Sequence, residues 1–139
     1  MAKSVEKLGI EFAKAHFERH GYTVRDVSHK RGHNGYDLLI VRNRRESRVE
    51  VKGVSRMWGI PDAYETEFDD KKRLVADFLC VVFVKAKPIQ LCIIPRAAIK
   101  SKHIERRCGY RFKSSFKQRS ALKKFLQQLP AATEKFRKR

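Results

Sequence analysis

Asp37, Glu50 and Lys52 are the residues of this chain whose types and spacing could do chemistry. Two carboxylates and an ammonium gathered at one point would suit a hard divalent cation such as Mg2+. Such an ion takes few carboxylates and fills the rest of its shell with waters and substrate phosphate. The ion would polarise the phosphate and activate water, and Lys52 would orient the nucleophile and offset negative charge as a phosphodiester is attacked. That is nuclease chemistry. On a solvated face the same residues would be only a cross-strand ion pair, worth little.

Which of these holds depends on the elements that carry them. Tyr36-Asp37-Leu38-Leu39-Ile40-Val41 and Arg48-Val49-Glu50-Val51-Lys52-Gly53-Val54 are both dense in β-formers and read as strands joined through the polar segment Arg42 to Ser47. With Asn43-Arg44 as a two-residue turn, Arg42 faces Arg45, and counting outward in antiparallel register sets Asp37 opposite Glu50. A longer loop, through Glu46, would shift the pairing. Side chains alternate along a strand, so Glu50 and Lys52 share one face with Asp37 while Val49 and Val51 pack on the other. Val49, Val51, Leu38 and Ile40 line one face, and Leu39, Val41 and Val54 make the second largely apolar, so the strands are expected to be central and buried. Charges on such strands are paired or coordinate a metal.

A glutamate on a first helix, then x-D, then E-x-K on adjacent strands resembles the PD-(D/E)XK phosphodiesterase superfamily, which includes restriction endonucleases and Holliday-junction resolvases. The elements stand here as Gly9-Ile10-Glu11-Phe12-Ala13 leading into His20-Gly21-Tyr22, then Gly35-Tyr36-Asp37, then Val49-Glu50-Val51-Lys52. The layout is similar to the smaller resolvase-like and Mrr-like branches and covers residues 4 to about 95. It departs from the pattern at Tyr36, where the superfamily's name has proline, and in having no glutamine soon after Lys52. The resemblance implies an α/β fold, a restriction-endonuclease-like mixed β-sheet flanked by helices with an αβββαβ core. It also implies a Mg2+ or Mn2+ cofactor held by Asp37, Glu50 and the Val51 carbonyl. Glu11 would bind the ion directly or through water, and Lys52 would position the nucleophile. Glu6 is the alternative helix carboxylate, and a solvated surface role is the alternative for either.

The remaining elements follow from periodicity. Residues 3 to 20 form an amphipathic helix with Val5, Leu8, Phe12 and Ala15 toward the core and Glu11 on the shoulder of that stripe, ended by Gly21. Tyr22 to Val27 is a strand, and Ser28 to Gly35 a polar loop whose His29 and His33 fit phosphate contact or solvation better than catalysis. Ser55 to Glu67 is irregular, and two uses fit its Trp58: contact with DNA, or cover for the core. Asp69 to Ala76 reads as a second helix, and Phe78 to Val84 and Ile89 to Ile94 as strands around a Lys87-Pro88 turn. Ser114 to Leu129 reads as a basic C-terminal helix with Leu122, Phe125, Leu126 and Leu129 on one side, stopped by Pro130. The organisation is thus a nuclease-like core over 1–99 and a basic extension over 100–139, docked on the core or on a second copy in a homodimer.

Composition narrows the partner. The 139 residues carry 33 Lys and Arg against 15 Asp and Glu, a net charge of +18. From Lys100 onward there are 14 Lys and Arg against 2 Asp and Glu. Such a surface seeks a polyanion, and nucleic acid is the commonest. DNA is the expected partner, touched by Lys30, Arg31, His33, Arg56, Arg107, Arg111 and Lys113. The longest apolar run, Phe78 to Val84, is far short of the roughly 18 to 20 residues that cross a bilayer, so a soluble, cytoplasmic protein is expected. Cys80, Cys92 and Cys108 form no C-x-x-C, and the first two fall in apolar strands, where a thiol behaves as a small hydrophobe. The expected function is a metal-dependent DNA endonuclease. A nuclease fold that binds nucleic acid without turnover, or a basic RNA-binding protein, are the other readings of the same charge.

Overall fold

A computed structural model describes residues 4–28, 36–55, 74–99, 104–106, 110–112 and 123–128. The chain opens with helix α1, Val5–Arg19. The Ser4 side chain accepts a hydrogen bond from the Lys7 N–H at 3.1 Å, and Glu6 sits in the first turn, both favourable at a helix N-terminus. At the other end Gly21, at φ +86°, takes the left-handed turn that a side chain resists, and the Tyr22 N–H returns to the Phe17 carbonyl.

Strands β1 (Thr23–Asp26), β2 (Leu38–Arg42), β3 (Arg45–Val54), β4 (Phe78–Phe83), β5 (Gln90–Pro95) and β8 (Leu126–Gln128) form one six-stranded sheet in the order β1-β2-β3-β4-β5-β8. All neighbours are antiparallel except β3 and β4, so the sheet is mixed and the fold is α/β. A separate antiparallel pair is made by β6 (Ile104–Arg106) and β7 (Tyr110–Phe112).

Both faces of the sheet are apolar. One packs under α1, where Leu38, Ile40, Val49, Val51, Cys80, Val82 and Leu91 meet Ile10, Phe12, Ala13 and Phe17. On the other, Leu79, Val81, Phe83, Cys92, Ile94 and Val54 cluster with Leu74, Ala76 and Ile99. Alternation along β3 therefore directs Val49, Val51 and Gly53 toward the helix, and Glu50, Lys52 and Val54 away from it. Asp77 ties the centre together: its carboxylate accepts the Arg48 N–H at 2.7 Å, its own N–H donates to the Arg48 carbonyl at 2.8 Å, and its carbonyl receives the Arg96 N–H. The Arg48 and Arg96 side chains lie 3.7 and 3.6 Å from its two carboxylate oxygens.

Three expectations are corrected. The buried side of α1 is Gly9, Ile10, Phe12, Ala13, His16 and Phe17, a stripe rotated from the one through Val5, Leu8, Phe12 and Ala15. The cause is Gly9: a Cβ there would stand 2.8 Å from the Gly53 Cα, so the glycine face seats the helix on β3. Residues 74–76, expected at the end of a second helix, are not helical; 69–73 lie outside the described residues. The C-terminal helix is likewise absent where the chain is described: Lys123–Phe125 is a 3-10 turn and Leu126–Gln128 is β8, paired with the far edge of β5. The pairing that β5 offers outweighs the helical spacing of Leu122, Phe125 and Leu126. Phe125 and Leu126 pack against the cluster on the face away from α1.

Candidate metal and phosphodiester site

Asp37 stands just ahead of β2 and is held from both sides. Its carbonyl accepts the Val27 N–H at 2.9 Å and its N–H donates to the Val49 carbonyl at 2.8 Å. Its side chain then replaces a strand partner: where β2 has not yet begun, the Val51 N–H is left without a ladder acceptor and donates to Asp37 Oδ2 at 2.8 Å. A strand directs the N–H and C=O of one residue to the same side. The Val51 carbonyl therefore points toward the edge that Asp37 occupies.

The hairpin register is the one counted from the sequence. Arg42 pairs with Arg45 and Leu38 with Val49; there the ladder ends, and the Asp37 N–H also turns to the Val49 carbonyl, next to Glu50 along β3. Asn43 and Arg44 sit at φ 53° and 64°, the two positive values of a type I′ turn. Asp37 is 6 % exposed and Glu50 5 %, so two acidic side chains are buried at one end of the hairpin. Lys52, half-buried, follows two residues on from Glu50 and shares its face.

Arg48 completes a row that the sequence reading passed over. It precedes Glu50 by two residues on the same face, so Glu50 stands between two cations along β3, and the Arg48 guanidinium lies 5.8 Å from the centre of the Tyr36 ring. The signal was the period of two that identified Lys52, read in the other direction.

Glu11 stands apart from this row. α1 packs on the face that Val49, Val51 and Gly53 present, opposite to Glu50 and Lys52. At 3.6 residues per turn Glu11 falls on the far side of α1 from Gly9 and Ala13. It is half-buried there, with Oε2 shielded from solvent. Among the described residues no group of three or more His, Cys, Asp and Glu side chains is placed to hold one metal ion. The candidate ligand set is therefore two carboxylates and a main-chain carbonyl. That set suits Mg2+, which is bound through one or two carboxylates with water and phosphate oxygens completing an octahedron. Lys30, Arg31, His33, Arg56, Arg107 and Lys113 lie outside the described residues, as do His29 and Trp58; Arg111 falls within β7.

The family model described as Protein NO VEIN, C-terminal, matches residues 5–94, the span from the first residue of α1 to the last but one of β5. No curated protein and no solved structure matches the chain. No helix among the described residues is long and apolar enough to cross a membrane.

Proposed function

The chain belongs to the family defined by the C-terminal region of protein NO VEIN, and we propose that it is a Mg2+- or Mn2+-dependent DNA endonuclease of the PD-(D/E)XK kind. The observation that carries this reading is two buried carboxylates at the open end of the hairpin: Asp37, fixed through the Val51 N–H, and Glu50, the residue before Val51 on β3. A protein interior holds carboxylates where something compensates them, and a bound cation is such a compensation.

Asp37, Glu50 and the Val51 carbonyl hold the ion. When bound, it supplies Lewis-acid stabilisation of the phosphate and lowers the proton affinity of water. The protein's own groups do the rest. Asp37 keeps its orientation through the Val51 N–H, so the carboxylate is positioned before substrate arrives. Lys52 lies on the face of Glu50 and orients the nucleophile toward phosphorus. Arg48, on the other flank of Glu50, is held by the Asp77 carboxylate, and the net charge of +18 draws the polyanion to the surface.

The test is cleavage of a panel of linear, flap, mismatched and junction DNA with Mg2+, with Mn2+ and with EDTA. Metal-dependent cleavage that disappears in Asp37→Asn and in Glu50→Gln is the expected result. Cleavage untouched by both substitutions would remove the site. One observation favours a second reading, a nuclease fold that binds nucleic acid without turnover: among the described residues no three His, Cys, Asp or Glu side chains are grouped to hold a metal ion. Tight binding with no cleavage under any metal selects it, and competition by structured RNA separates a DNA partner from an RNA partner.

A further inference from the structure

The opposite face of the sheet, at the far end of β2, carries a second feature. A cavity of about 490 Å3 opens where α1 ends, lined by Tyr22, Arg42, Asn43, Arg45, Ser47 and Phe78. It continues past Tyr22, Arg42 and Phe78 into a smaller cavity of about 240 Å3 that reaches His16 and His20. Among the described residues that line the larger space none is acidic. Its volume falls within the roughly 300 to 1,000 Å3 of small-ligand pockets.

Local energetics disfavours the way this end of the hairpin is charged. Arg42 and Arg45 are directly paired across the strands, and like charges in that position repel. Arg44 sits at φ 64°, where a type I′ turn prefers glycine. Arg42 has a structural partner on each side: Nη1 donates to the His20 carbonyl at 3.0 Å, and its guanidinium lies 4.5 Å from the centre of the Tyr22 ring. Those contacts hold Arg42 at the mouth of the cavity but give no reason for Arg45 opposite it. An anion between the two would.

We infer that this groove binds an unpaired nucleotide of a nucleic-acid strand, its phosphate between Arg42 and Arg45 and its base against Phe78 beside Tyr22. Arginine with aromatic rings is the combination that grips single strands, since every base has a stacking face and every nucleotide a phosphate. A paired base is occupied within its duplex and does not enter a concave pocket, whereas an unpaired one does. Asn43 and Ser47 add polar groups for the sugar or base edge. The groove is separate from the acid pair: Asp37 and Arg42 are five residues apart along an extended strand, about 16 Å, and Glu50 and Lys52 point to the other side of the sheet. The inference takes its nucleic-acid partner from the proposed function but needs no hydrolysis.

The test is fluorescence anisotropy with the full chain in EDTA, comparing a labelled oligothymidine with a blunt duplex of equal length. Arg45 is exposed, so its replacement leaves the core intact, and circular dichroism confirms folding. Arg45→Ala is expected to weaken binding of the single strand about fivefold and Arg45→Glu more than about tenfold, with duplex affinity changed less than about twofold. Photocrosslinking of an iodouracil-containing strand should label Tyr22 or Phe78. Equal losses on both substrates would reduce Arg45 to general surface charge and overturn the inference, as would unchanged single-strand binding. Competition by free thymidine monophosphate as strong as by the oligonucleotide would also overturn it, since the site would then serve a small metabolite. Cleavage by the unmodified protein with Mg2+ is scored separately: its absence sinks the nuclease reading alone, while the groove stands or falls on the anisotropy.

Discussion

Gly9 of α1 and Gly53 of β3 meet backbone to backbone. A Cβ on Gly9 would lie 2.8 Å from the Gly53 Cα, and one on Gly53 would strike the Val5 carbonyl oxygen. Neither neighbour is a flexible side-chain tip that could swing away. Gly53 also follows Lys52 directly, so the contact that seats the helix fixes the strand carrying Glu50 and Lys52.

Gly53→Ala should therefore destabilise the fold by about 2 to 3 kcal/mol, the scale of overpacking a close contact. Gly9→Ala is the more diagnostic change, because alanine raises helix propensity by about 1 kcal/mol over glycine. A net loss in urea denaturation means the packing term prevails. A Gly9→Ala protein more stable than the parent would show that α1 is not seated on β3 in this way.

The same contact explains what was legible in the sequence and what was not. The hairpin register could be counted, because a two-residue turn at Asn43-Arg44 is a local rule and alternation then assigns every side chain from Leu38 to Val54 to a face. The rotation of α1 could not. Val5, Leu8, Phe12 and Ala15 make an acceptable apolar stripe, and only a glycine 44 positions away, Gly53, decides that Gly9 and Ala13 point inward instead. That rotation also moved Glu11 from the shoulder of the stripe to its far side. Leu126 illustrates the same limit at the other end, since its helical spacing with Leu122 and Phe125 is local and the open edge of β5 is not.

His16 gives a pH dependence with a definite sign. It is 5 % exposed against Phe17, and burial, with the nearby His20 ring, lowers its pKa from 6.5 to about 4. Between those values the unfolded chain binds a proton that the folded chain does not, so stability falls as pH drops through this window and levels off below it. The loss attributable to His16 is on the order of 2 kcal/mol. Thermal melts from pH 7 to 4.5 on the parent and on His16→Gln should show a shallower fall in the variant. Parallel curves would mean that another group carries the effect.

The thiols of Cys80 and Cys92 predict the opposite trend at high pH. They lie on opposite faces of the sheet, and neither is in a disulfide. Burial pushes the Cys92 pKa up to about 12 and raises that of Cys80 further, Cys92 adding to the effect on Cys80. Unfolded thiols ionise near their ordinary value of 9.0 while the folded ones stay neutral, so the stability they contribute is complete below that value and is lost as pH rises above it. In a Cys108→Ser background, Cys80 and Cys92 should resist a maleimide in native buffer and react together on unfolding. Rapid native labelling at neutral pH would contradict their burial.

The acid pair can be separated into its structural and chemical parts. Asparagine at position 37 keeps an oxygen that accepts the Val51 N–H, whereas alanine leaves that buried donor unpaired, at about 1 to 3 kcal/mol. Asp37→Asn should therefore retain stability and DNA affinity while cleavage falls by at least about a hundredfold, because a neutral amide holds a divalent cation poorly. Asp37→Ala should lose both stability and cleavage. Glu50→Gln and Lys52→Ala should match Asp37→Asn in cleavage, and the affinity of all three for DNA in EDTA should remain within about threefold of the parent, because phosphate contacts on a strongly basic surface dominate binding. The metal response adds a further discriminator. If Asp37 and Glu50 share one ion, the Mg2+ concentration for half-maximal cleavage should rise in Glu50→Asp, which shortens the reach but keeps the charge. An unchanged requirement in that variant, with cleavage intact, would mean that Glu50 is no ligand and that its burial serves the sheet alone.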